Sequence, residues 1–196
     1  MMAIMLRAAP WRAVTGVSGV AALLGAAGVA VPAAAPVLIA LAFALLASAA
    51  AFALDEPASQ VVDVTPTRLS TRTAIRGVLL LVPLADGAAL AAAGALRDIA
   101  LPWPAVVLTL AGNVLFGFTA ACIARARTGE PGLRAAASVV LVLVAPGLLP
   151  PVSRWVHTFP SSPAGAGAAQ TLWWCVLAAC ALAIAATCSG RLRRAA

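Results

Sequence analysis

The sequence predicts an all-α integral membrane protein with six transmembrane helices, and three observations lead there. Apolar residues make up 63% of the chain and charged residues 10%, against roughly 45–50% and about 25% in soluble domains. The apolar residues fall in runs of the length a bilayer requires, about 17–25 positions per helix. The basic residues are thirteen in number and all Arg, and they sit at the ends of those runs. That placement fits the positive-inside rule better than it fits nucleic-acid binding, which a net charge of +7 would otherwise suggest. About one residue in four is Ala and Lys is absent, so Ala-rich helix faces carry little meaning by themselves.

The chain reads as a single transmembrane domain over residues 1–196. Met1 to Arg12 has two readings: a short helix lying in the interface, with Met1, Met2, Ile4, Met5 and Leu6 as its apolar side, or a frayed tail. Span one is Val14–Val31. Its basic start and the small residues at Ala30–Ala35 mimic a secretory signal. The apolar pattern resumes at once, however, and retaining the run gives the better charge arrangement. Pro32 and Pro36 mark a tight turn, because proline has no N–H for a continuing helix. Span two is Ala33–Leu54. The positions from Val14 to Leu54 are too many for one crossing and fit two.

A hydrophilic segment, Asp55–Arg76, follows. Span three is Gly77–Leu96, interrupted by Pro83 and Asp86. A short link with Trp103 leads to span four, Ala105–Ala124. Thr128-Gly129-Glu130-Pro131-Gly132 is a turn signal before span five, Leu133–Leu149, which is short and carries Pro146. Pro150–Gln170 is rich in Pro, Ser and Gly, and it is read either as a piece dipping back into the membrane or as an outer loop. Span six is Thr171–Cys188, with a basic tail at Arg191, Arg193 and Arg194.

With both termini on the cytoplasmic side of the plasma (inner) membrane, eleven arginines fall inside and two, Arg97 and Arg154, fall outside. A wrong number of spans would scramble that bias, so it also supports the count of six. Trp11, Trp103, Trp155, Trp173 and Trp174 lie near span ends, where interfacial anchors are expected.

Catalytic chemistry has little support. There is no phosphate loop with its Lys, no HExxH, and no CxxC pair, and His157 is the only histidine. Ser153, His157 and Asp98 are too scattered to make a hydrolase. Cys122, Cys175, Cys180 and Cys188 fall in apolar runs and are read as small hydrophobes. No metal, cofactor or enzymatic activity is expected. Two polar residues inside spans stand out. Asp86 lies ten positions into span three and Asn113 nine positions into span four, which runs back the other way, so both fall at similar depth. An ionisable group there costs about 2.5–3.5 kcal/mol on insertion scales. Asp86 is either a protonated acid bonded to Asn113 or to a backbone carbonyl, or part of a proton or substrate path. Gly16, Gly19, Gly25 and Gly28 would let a neighbouring helix approach span one closely.

The hydrophilic segment carries the most distinctive pattern. Asp55 and Glu56 precede Pro57, an acid–proline helix start. A helix over Pro57–Val64 would present Val61, Val62 and Val64 with Asp63. Thr65-Pro66 repeats the start signal, and Arg68, Arg72 and Arg76 then lie four apart on one helix face leading into span three. A plain loop with arginines at lipid headgroups explains the arginines but not two helix starts where one turn would do.

On Leu54-Asp55-Glu56-Pro57-Ala58, Thr65-Pro66-Thr67 and the spaced arginines, the chain resembles the six-span membrane subunits of ATP-binding cassette exporters, in particular small permease-like proteins of high-GC actinobacteria. The resemblance implies an amphipathic segment before span one, a short cytoplasmic coupling helix between spans two and three, and re-entrant pieces between spans five and six. Met1–Arg12, Asp55–Arg76 and Pro150–Gln170 occupy those places. It further implies a separate cytoplasmic ATP-binding subunit as partner, docking on Asp55, Glu56, Pro57, Val61, Val62, Asp63, Arg68, Arg72 and Arg76, and a pairing with itself or with a similar permease. The chain is short for that family, with a reduced outer region. The competing readings are a proton-coupled secondary transporter using Asp86 and a membrane scaffold or regulator that transports nothing.

Overall fold

In a computed structural model, described here over residues 10–55, 69–125, 131–149 and 158–188, every regular element is a helix. The order is α1 (Trp11–Ala30), α2 (Ala35–Phe52), α3 (Leu69–Gly77), α4 (Leu81–Leu96), α5 (Trp103–Arg125), α6 (Gly132–Leu148) and α7 (Pro163–Cys188). Single 3-10 turns, Pro32–Ala34 and Val78–Leu80, precede α2 and α4. Five helices are long and apolar enough to cross a membrane: Trp11–Ala30, Pro32–Phe52, Thr73–Leu96, Trp103–Arg125 and Ala164–Thr187. They mark the chain as a multi-pass membrane protein. The expected fifth span is the shorter apolar helix α6, about 25 Å long at the usual rise per residue.

The bundle is built on α2 and α5, whose apolar stretches are 61% buried; that of α7 is 17% buried. Helix α1 lies along α2 and α4, α6 lies on α2 and α5, and α7 lies chiefly on α5. Small residues set the closest crossings. A Cβ on Gly117 of α5 would fall on the Ala47 carbonyl of α2, so backbone touches backbone there. Gly25 of α1 lies under Leu90 of α4, and Gly28 lies against Leu38 and Ile39 of α2. Two of the four glycines expected to admit a neighbour thus do so, while Gly16 and Gly19 face open space.

Helix boundaries differ from the sequence expectations in two places. Span three begins earlier, since α3 runs from Leu69 through a 3-10 turn directly into α4. The break falls at Val78–Leu80 because Pro83 has no N–H to return to residue 79, and the chain tightens there. Span six also begins eight residues early, at Pro163 instead of Thr171. Pro163 occupies the first helical position, where its missing N–H costs nothing. The Ser162 hydroxyl accepts from the Gly165 N–H at 3.4 Å as the N-cap.

Helix α4 ends in a Schellman arrangement. Ile99 N–H donates to the Gly94 carbonyl and Asp98 N–H to the Ala95 carbonyl. Asp98 takes the left-handed conformation, φ 52°, that glycine usually fills. Asp98 is therefore a helix stop, while Ser153 and His157 lie outside the described residues. The tryptophans divide. Trp174 is 64% exposed, but Trp173 is buried against Gly112 of α5, which corrects its expected role as an interfacial anchor.

Candidate functional site

Three polar or irregular places stand out in the apolar bundle. The first is the end where α2 stops and α6 starts. The Asp55 N–H donates to the Phe52 carbonyl at 3.0 Å, closing the last turn of α2. The Asp55 carbonyl accepts from a guanidinium nitrogen of Arg76, and Oδ1 accepts from the Gly132 N–H of α6. Each contact follows from local chemistry. The end of α2 has spare carbonyls and the negative end of a helix dipole, which a cation suits. The start of α6 has spare N–H groups and the positive end, which a carboxylate suits. Pro131, the residue before α6, has no side chain able to cap it, so the cap comes from a residue 77 positions away. A Cβ on Gly132 would collide with that carboxylate, so a larger residue there would push the carboxylate off the helix start. Arg76 is 5% exposed and reaches this place because α3 runs up beside it.

Of the docking residues expected from sequence, Asp55 and Arg76 are brought together and engaged within the chain. Arg72 lies on α3, one helical turn before Arg76. Glu56, Pro57, Val61, Val62, Asp63 and Arg68 lie outside the described residues, as do the segment 1–9 and the arginines of the tail.

The second place is halfway along the helices. Helices α4 and α5 pack antiparallel, with Gly94 against Trp103 and Gly87 against Leu110. That register puts Asp86 and Asn113 within about one helical turn of each other in depth, as the sequence led one to expect. The buried face of α4 is Pro83, Gly87, Leu90, Ala91 and Gly94, and half-buried Asp86 sits on its flank. Asn113 is 4% exposed, and its side-chain oxygen has no hydrogen-bond partner, so no bond links it to a protonated Asp86. Ser18 of α1 is likewise buried with its hydroxyl unpartnered. Three other buried hydroxyls return to their own helix: Ser48 to Ala44, Thr109 to Ala105 and Thr119 to Leu115, the usual solution for such groups in helices. An unpartnered buried amide oxygen costs about 1–3 kcal/mol, which marks Asn113 as a place for a further polar group.

The third place is the link before α7. Trp173 lies ten residues beyond Pro163, about 15 Å along the helix, yet its indole N–H donates to the Thr158 carbonyl at 2.9 Å. Phe159 packs edge-on against Phe43, at the middle of α2, with ring centroids 6.1 Å apart. Thr158–Pro160 therefore folds against the bundle, while Ser161 and Ser162 are exposed; residues 150–157 lie outside the described residues. Beside it, between α5, α6 and α7, is an apolar cavity of about 200 Å³ lined by Phe116, Val142, Pro146, Thr158 and Trp173 among others.

Among the described residues no cluster of His, Cys, Asp or Glu could hold a metal ion. Cys122 and Cys180 are buried and Cys175 is exposed, none of them in a disulfide. The chain matches no known family model, no curated protein and no solved structure.

Proposed function

We propose that the chain is the membrane permease subunit of an ATP-driven export system, with six spans, both termini cytoplasmic, and ATP hydrolysis on a separate subunit. The observation that carries this reading is the hydrophilic segment between the second and third apolar runs. It leaves α2 at Asp55 and returns through α3, which continues with only a 3-10 turn into α4. A partner pressing on residues 56–68 would move α3 and α4 together, since a helix transmits displacement along its axis. The arginine bias of eleven to two puts that segment on the cytoplasmic side, where an ATPase would be. The link Thr158–Pro160, packed against the bundle, supports the same reading on the opposite side, as a piece that could shift when the helices move.

In this mechanism ATP binding on the partner favours one packing of the bundle and release favours the other, a two-state element biased from another chain. A homodimer or a heterodimer with a similar permease would line the path. Affinity purification of the chain from its native membrane in mild detergent tests the proposal. The expected result is an ATPase recovered in stoichiometric amount; recovery of the intact permease without one would overturn it.

A second reading has its own observation. Asp86 and Asn113 share a depth, and the Asn113 oxygen is buried without a partner. A proton-coupled carrier would use such a pair, Asp86 exchanging the proton and Asn113 contacting the substrate. It predicts that Asp86→Asn alone abolishes flux driven by a pH gradient.

A further inference from the structure

We propose that Asp55 is a latch that holds the start of α6 onto the end of α2, and that its release opens this end of the bundle. Asp55 touches three separate pieces of chain through three different groups: its own helix through its N–H, Arg76 through its carbonyl, and Gly132 through its carboxylate. Nothing else described caps α6 from outside it. Helix α6 packs on α2 and α5, and small buried residues, Ala135 and Ala136, make its contact near this end. Ser48 adds one long hydrogen bond to the Ala136 carbonyl, 3.5 Å.

Small residues make weak apolar contacts and rely on close approach. The carboxylate at the helix start is thus the strongest single tie at this end, a charge-assisted bond to an N–H that lies at the positive end of a dipole. Asp55 is also the first residue of the hydrophilic segment. Displacement of that segment therefore acts first on the latch. Arg76, held to the carbonyl of the same residue, keeps α3 and α4 attached to α2 while α6 is released. The inference rests on the export reading only in naming what displaces the segment.

The test needs no ATPase, so it stands or falls separately from that reading. In inside-out membrane vesicles, the full chain carrying only Cys122 and Cys180 is exposed to a membrane-impermeant maleimide. Both thiols are buried; Cys122 lies near the Asp55 end of α5 and Cys180 on α7. Asp55→Ala should raise the labelling rate of Cys122 at least tenfold and leave Cys180 protected. A disulfide replacing the latch, made by Asp55→Cys with Gly132→Cys, should restore protection of Cys122 when oxidised and lose it when reduced. Protection of Cys122 unchanged in Asp55→Ala would overturn the proposal. So would equal exposure of Cys122 and Cys180, which lies at nearly the same depth on α7, a helix the latch does not hold; that result would mean that the residue supports the whole bundle and not the seat of α6.

Discussion

At the Asp55 end of the bundle, one residue caps α6, closes α2 and receives Arg76. Halfway along the helices, Asn113 is as deeply buried as Arg76, but its side-chain oxygen has no partner and Asp86 stands nearby in depth. Both regions place polar groups where an apolar environment penalises them. One has satisfied the groups by joining helix ends, which already carry spare N–H and carbonyl groups. The other lies where every backbone group is used by its own helix, so a side chain must look elsewhere. The difference separates polar groups paired across helix ends from one that is buried with its side-chain oxygen unpaired.

Substitutions can break or sharpen that contrast. The largest effect is expected at Gly117, where α2 and α5 touch through backbone. Gly117→Val should cost about 3 kcal/mol through overpacking, read as a lower thermal midpoint in detergent. Asp55→Ala comes next. It strands the Gly132 N–H and should cost about 2 kcal/mol; a loss below about 0.5 kcal/mol would mean that the contact holds little. Trp173→Phe removes the bond to the Thr158 carbonyl and should cost about 1 kcal/mol, with faster proteolysis of the link before α7. Asp98→Gly should raise stability by up to about 1 kcal/mol, since φ 52° suits glycine better than a residue with a Cβ.

The smallest effect is the most pointed. Asn113→Leu should leave stability unchanged within about 0.5 kcal/mol, or raise it, because the amide oxygen gives up no partner. A large loss of stability would place Asn113 with Asp55, among the groups that hold the fold.

Much of this architecture was legible in the sequence. Hydropathy alone located the long apolar helices, and counting positions into two antiparallel spans put Asp86 and Asn113 at one depth, because helix rise is fixed. The start of α7 was legible in principle. Ser161-Ser162-Pro163 is a cap followed by a first-turn proline, but the Gly- and Ala-rich stretch after it reads as loop. The Asp55–Gly132 contact was not legible. It joins residues 77 positions apart, and the acid that looks exposed in a hydrophilic segment is drawn inward by a helix start that cannot cap itself. Trp173 illustrates the same limit: near a span end in sequence, it is buried because Gly112 opposite leaves room for its ring.

On the export proposal, the hydrophilic segment meets an ATPase while the middle of the bundle does not. A paired co-purification from native membranes tests it most directly. One variant combines Asp63→Arg with Arg72→Glu; the other is Asp86→Asn. The expected result is that the first loses the ATPase, the second retains it, and both insert with wild-type yield. An ATPase retained by the first variant, or absent from the wild type, would contradict it.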